Sequence, residues 1–301
     1  MNNEDFQRCS DLWFDDGNIV LQAEQTLFQV YKGVLRRESP VFADMLSLSG
    51  QPEEHYGKVP LVRMHDTAEE IKLFLSVIFI HQFMDSRRAN PELATIMAVS
   101  AKYQAPEVHR RAQALLTLEF PSTLKDYDAL RTSPARSSVC QTESDFWALT
   151  IAVIKAARRT KENVLLPAAF LRAASHEVTS ILAQDALDLE DRIVILAGRD
   201  KLSQMARKEP WAVVFSHGFG CGEWGNGCRG EWGRVRDAIE VSTNFIDPFC
   251  TVSPPVDRGK LCSQSRAYLL NTHPKAREDA WERLPIMFGL SPWAELVKES
   301  A

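Results

Sequence analysis

The chain has 301 residues, of which 45% are apolar and 9% aromatic, enough for one large packed domain or two ordinary ones. Its net charge of −5 lies in residues 1–120, where 12 Lys and Arg face 17 Asp and Glu; the other 23 of each sign balance, and neither part has the basic footprint of a nucleic-acid binder. The apolar stretch Phe74 to Ile80, itself broken by Ser76, is far short of the ~20 residues of a membrane span, and Met1-Asn2-Asn3-Glu4-Asp5 is acidic where a secretory signal is basic, so an intracellular protein of cytoplasm or nucleus is expected, with no membrane contact.

Behind an Asp15-Asp16-Gly17 turn, Asn18 to Ala23 and Thr26 to Tyr31 read as the two strands of a β-hairpin. Lys32 to Arg37 gives a short helical turn. Ser39 then caps a second helix with Pro40 at its first position, where a missing N–H costs nothing, and Val41, Phe42, Met45 and Leu46 repeat on one face. Val59 to Arg63 is a third short strand. Asp66 or Thr67 caps a helix over Ala68 to Ile80, whose stripe is Ile71, Phe74, Leu75, Ile78 and Phe79. Asn90-Pro91-Glu92 opens a helix running to Tyr103, and Pro106 opens one over Val108 to Leu118. Pro121, Pro134 and the Ser/Thr-rich stretch between Arg131 and Thr142 mark a boundary. Beyond it the pattern is helical: Phe146, Leu149, Val153, Ile154 and Ala157 share a face, followed by Val164 to Ala174, Val178 to Ala183 and Asp188 to Met205. Residues 216–233 hold seven glycines in eighteen residues and read as a loop. Arg234 to Phe245, Leu261 to Leu270 and Ala276 to Phe288 are expected to be helical again.

The order of hairpin, two short helices, strand and three helices, with Phe28, Val30, Lys32, Leu35, Ser39, Pro40, Phe42, Met45 and Leu46 at these spacings, resembles the BTB/POZ domain; Ala101-Lys102-Tyr103 is similar to a motif of that family. The matches cover residues 11–120, and the whole chain resembles fungal BTB-domain proteins with an uncharacterised helical C-terminal region. The resemblance implies an α+β fold: a BTB/POZ-like interaction domain at 11–120, a linker at 121–142 and a helical region at 143–301. It also implies a non-enzymatic adaptor acting by self-association, by docking on the cullin scaffold of a ubiquitin ligase, or, as the alternative, by recruiting transcriptional partners. The end of the Ser-Pro helix and the loop after it are the expected partner surface, with Met45, Leu46, Leu48, Glu53, Glu54 and Tyr56 as contact residues. Two departures stand out. Only ten residues precede Asp11, fewer than in members that exchange an N-terminal strand, and Tyr31 stands where the family commonly has histidine.

Other chemistry is weakly signalled. Gly220 to Gly225 formally matches G-x-G-x-x-G after a candidate strand at Ala212 to Phe215, but that pattern holds a pyrophosphate only where a helix starts at its end, and none is expected before Arg234. His217, Cys221, Cys228, Cys250 and Cys262 lack the close ligand pairs of a structural zinc site, so the six cysteines read as buried or free thiols. Trp224 and Trp232 are read as tucked into the domain rather than as partner anchors. No G-x-S-x-G elbow or marked triad histidine appears, and Lys155 to Lys161 reads as a solvated helix end. No cofactor, metal, catalytic residue or direct nucleic-acid contact is expected; an enzyme or metal-binding module in the C-terminal region is the remaining alternative.

Overall fold

The computed structural model describes residues 6–48, 54–84, 90–132, 143–212, 226–240, 247–249 and 258–300. The fold is α+β: a five-stranded sheet near the N-terminus, then mostly helix. Two compact units divide the chain, one of residues 1–119 and 133–161, the other of 120–132 and 162–301.

In the N-terminal unit the expected hairpin is β2 (Ile19–Ala23) and β3 (Thr26–Val30), antiparallel with Leu21 opposite Phe28. Gly17 closes its approach, because an added Cβ would lie 2.9 Å from the Phe14 carbonyl oxygen. A strand that the sequence pattern does not signal, β1 (Gln7–Trp13), runs parallel to β3, with a register shift between Arg8 and Trp13. Helices α1 (Lys32–Glu38) and α2 (Pro40–Leu48) lead to the short β4 (His55–Tyr56) and to β5 (Val59–Arg63), which returns parallel to β2. The sheet order is β1-β3-β2-β5-β4. Helix α3 (Ala68–Phe79) begins at a reciprocal cap in which Thr67 Oγ1 accepts the Glu70 N–H and the Glu70 carboxylate accepts the Thr67 N–H. Thr67 rather than Asp66 is therefore the cap. Helices α4 (Glu92–Lys102) and α5 (Pro106–Glu119) follow.

The boundary differs from the linker expected at 121–142. Leu124–Thr132 is a helix, α6, of the C-terminal unit, while α7 (Glu143–Thr160) belongs to the N-terminal unit and packs on α4. The reason is the apolar face of α7: Leu149, Val153, Ile154 and Ala157 are fully buried, and the small residues Ala94, Ala98, Ala152 and Ala156 line the seam between the two helices.

The C-terminal unit continues with α8 (Leu166–Ala174), α9 (Val178–Leu182) and α10 (Leu189–Lys208). Arg199 of α10 donates to the carbonyls of Ala174 and His176, tying α10 to the end of α8. Helix α11 (Asn226–Glu240) corrects the loop expected at 216–233, at least from residue 226 on. Cys228, Trp232 and Val235 fall at i, i+4 and i+7 and are buried, which offsets the ~1 kcal/mol cost of each helical glycine. Gly230 and Gly233 have no neighbour within 4 Å of a built Cβ, so no contact demands them. Helices α12 (Ser263–Ala267), α13 (His273–Glu282), α14 (Leu284–Met287) and α15 (Trp293–Glu299) complete the chain, with a π-helical turn at Tyr268–Thr272. Trp281 and Trp293 stack with ring centroids 5.9 Å apart; Trp281 Nε1 donates to the Ser122 carbonyl and Trp293 Nε1 to the Trp281 carbonyl.

Gly198 of α10 marks the tightest approach in this unit, since a Cβ there would stand 2.2 Å from the Phe288 ring. Gly198→Ala is expected to cost about 1–3 kcal/mol through overpacking, against the ~1 kcal/mol that alanine would add as a helix former. Urea denaturation gives the sign; a stabilised variant would mean that the Phe288 ring yields freely. No helix among the described residues is long and apolar enough to cross a membrane.

Candidate functional site

The motif residues of the N-terminal unit converge on one buried knot. Ser39 Oγ accepts the Phe42 N–H at 3.1 Å, as a helix cap does, and donates to the Tyr103 carbonyl at 2.5 Å. The Phe42 ring lies 4.9 Å from Tyr103 and 6.1 Å from Phe74, and Tyr103 lies 5.2 Å from Phe74. Ser39, Phe42 and Phe74 are fully buried. Beneath the rings Asp66 accepts from Lys102 Nζ and from the Tyr103 hydroxyl. Burial alone would raise the Asp66 pKa, but these two donors, with the charges of Lys102 and Arg159, hold the carboxyl below its usual range. The same burial and the carboxylate drive the Tyr103 phenol far above its ordinary value. Sequence reading treats Asp66 only as a helix cap; its partners stand 36 and 37 residues away, a separation no local pattern reports. Tyr31 makes its polar contact with the hairpin turn, donating to Asp16 Oδ1 at 2.6 Å, and that bond raises the phenol's pKa.

The expected contact residues separate by exposure. Leu46 is only 6% exposed and belongs to the core, which leaves it little surface for a partner; Met45 is half-buried. Leu48 is the last residue of α2. Glu53 lies outside the described residues. Glu54 is exposed and its Oε2 accepts from Arg63 at 2.9 Å, an ion pair that spans the β4–β5 turn. Tyr56 is half-buried. Its OH accepts from Arg8 Nη2 at 3.2 Å, and its ring meets Trp13 edge-on at 5.9 Å. Arg8 thus lies between two aromatic faces, 4.5 Å from the Trp13 centroid and 5.5 Å from that of Tyr56. Since β1 and β4 stand at opposite ends of the strand order, the sheet curls until its two end strands meet through these side chains. Arg8 and Trp13 are the residues sequence reasoning missed: the pairing joins strands whose partners lie 43 and 48 positions apart.

In the C-terminal unit Trp232 is 6% exposed and donates from Nε1 to Ser265 Oγ at 3.0 Å. Cys228 and Cys262 each place Sγ 3.4 Å from the same hydroxyl, in a cluster with Trp211, Leu261 and Tyr268. Both are free thiols, and among the described residues no three His, Cys, Asp or Glu side chains group as metal ligands would. His217, Cys221, Trp224 and Cys250 lie outside the described residues, as do the glycines at 220–225 and the expected strand from Val213 on. Helix α11 does begin directly after Gly225, eight residues earlier than the sequence reading places it. No family model, no curated protein and no solved structure matches the chain.

Proposed function

We propose that the chain is a non-enzymatic protein–protein interaction adaptor whose N-terminal unit is a BTB/POZ-like association module. The observation that carries the reading is the convergence of the Ser-Pro helix and the Lys-Tyr pair: Ser39, Phe42 and Tyr103 are spent on each other in the core, beside a hairpin, strand and helix order of the same kind. The partner surface is then assigned to the second half of α2 and the two end strands of the sheet. Met45, Glu54 and Tyr56, with Arg8 and Trp13, combine aromatic faces, a guanidinium and a carboxylate, the side-chain types that anchor protein interfaces. A cullin scaffold, a second copy of the chain and a transcriptional partner are the three occupants this reading admits.

Affinity purification of the full chain from its native cell, followed by mass spectrometry, tests it. A defined protein partner is expected, and a Glu54→Lys, Tyr56→Ala double variant is expected to retain it at least tenfold less while its thermal midpoint stays within a few degrees of the parent. Turnover of a metabolite by the purified chain, or absence of both a partner and self-association at cellular concentration, would overturn the proposal.

A further inference from the structure

A cavity of about 510 Å³ lies between β1 and α3 of the N-terminal unit. Its floor is apolar: the buried Phe28 of β3 and Leu73 of α3, with the half-buried Ile80 and Phe83 from the end of α3 and the turn after it. Strand β1, from Gln7 to Asp11, forms the opposite wall. Ser76 of α3 also lines the cavity. That residue is only 1% exposed, and its Oγ has no hydrogen-bond partner, not even the carbonyl one turn back that a helical serine can take. A buried hydroxyl left unpaired at the base of a cavity points to a polar atom supplied by a ligand.

The charged side chains around the cavity are two cations and three carboxylates, close to balance, and most of them are already engaged. Arg8 donates to the Tyr56 hydroxyl and lies between two rings, Asp11 accepts from Ser10 Oγ at 3.4 Å, and Glu92 accepts from Asn90 Nδ2 at 3.3 Å. Glu69 and Lys72 are the exceptions. They stand one turn apart on α3, at the i, i+3 spacing where opposite charges meet, yet they form no ion pair with each other or with any other described residue. Ser76 follows Lys72 by one further turn. Glu69, Lys72 and Ser76 thus succeed one another along the cavity side of α3 as an acceptor, a cationic donor and a neutral donor. A free α-amino acid carries the complementary groups on one carbon: an ammonium for Glu69, a carboxylate for Lys72 and Ser76, and a side chain for the apolar floor of Phe28 and Leu73. A simple amine leaves Lys72 without a counter-charge, a simple carboxylate leaves Glu69 without one, and a peptide bears its two terminal charges on different residues.

We infer that this cavity is a binding site for a free α-amino acid with a large apolar side chain, a small-molecule site beyond the adaptor role proposed above, with Arg8 at the border of the two. The test is equilibrium dialysis of the full-length protein against tritiated L-phenylalanine. It needs no protein partner, so its failure leaves the adaptor reading standing. Saturable binding is expected. Phenethylamine, which lacks the carboxylate, and hydrocinnamate, which lacks the ammonium, should each compete about tenfold less well than unlabelled phenylalanine. Glu69→Gln and Lys72→Gln should each weaken binding about tenfold with an unchanged thermal midpoint, since both side chains are exposed and unpaired in the fold. Ser76→Ala should weaken it severalfold without lowering the midpoint, because it removes a hydroxyl that the fold does not pair. Lys161→Gln, at an exposed lysine that does not line the cavity, should change nothing. Absence of saturable binding, equal competition by either analogue, or insensitivity to the Glu69 and Lys72 changes would each overturn the inference.

Discussion

Replacing Phe42 with alanine is expected to destabilise the N-terminal unit by about 4 kcal/mol, the cost of emptying a fully buried aromatic site that cannot collapse. The ring touches both Tyr103 and Phe74, and its own backbone N–H is held by the Ser39 cap, so the surrounding atoms are fixed from three directions. In a unit of this size such a loss lowers the thermal midpoint by roughly 8–16 °C, read by circular dichroism. Phe42→Leu, which keeps most of the volume, should recover more than half of it. The comparison with the rim residues separates two roles that a binding assay alone would merge. Phe42→Ala should lose a partner only as the unit unfolds, so that binding returns on cooling, whereas Glu54→Lys should lose it at every temperature, since an exposed ion pair contributes little to folding. A fall in stability below about 1 kcal/mol would remove Phe42 from the core knot and reopen the Ser-Pro helix as a contact surface.

What could be read from the sequence followed from how one-sided each element is. The β2–β3 hairpin is the exception, buried on both faces but legible from its apolar runs behind a turn, while α3 carries both its cap and its stripe in consecutive residues, so local pattern sufficed. Strand β1 carries no such signal because it is an edge: in Gln7–Trp13 only Leu12 is buried, and the rest is as polar as a loop. Helix α11 was concealed by its glycines, although its buried face of Cys228, Trp232 and Val235 keeps a helical period. The boundary was misplaced because an apolar helix face does not declare its partner; Leu149, Val153 and Ile154 read equally well against either unit until α4 is seen to cover them. The candidate site was legible by the same rule. Glu54 and Tyr56 follow from a loop after a recognisable helix, while Arg8, Trp13 and the true role of Asp66 depend on contacts across the sheet and between helices.

His273 is expected to make the C-terminal unit acid-labile well above the pH at which carboxylates protonate. The side chain is 8% exposed at the start of α13, its ring lies 4.5 Å from Trp211, and its Nε2 is buried without a hydrogen-bond partner. Burial, and secondarily the charge of Arg277 one turn along the helix, pushes its pKa down to about 4 from an ordinary 6.5. The folded chain therefore keeps this imidazole neutral in a range where the unfolded chain protonates it. Between pH 6.5 and 4 the unfolded state binds more protons, so stability falls as pH falls; above 6.5 the group contributes no pH dependence. The full effect is on the order of 3 kcal/mol. Asp66 in the other unit does not blur this window, because a carboxyl held below its usual range begins to lose its contribution only at lower pH. Urea midpoints followed by tryptophan fluorescence at pH 7.5, 6, 5 and 4.5 should show the parent losing about 2–3 kcal/mol more than His273→Phe, which retains a ring against Trp211 and cannot titrate. Parallel pH profiles for the two proteins would show that water reaches the imidazole and that its proton equilibrium is the same folded and unfolded.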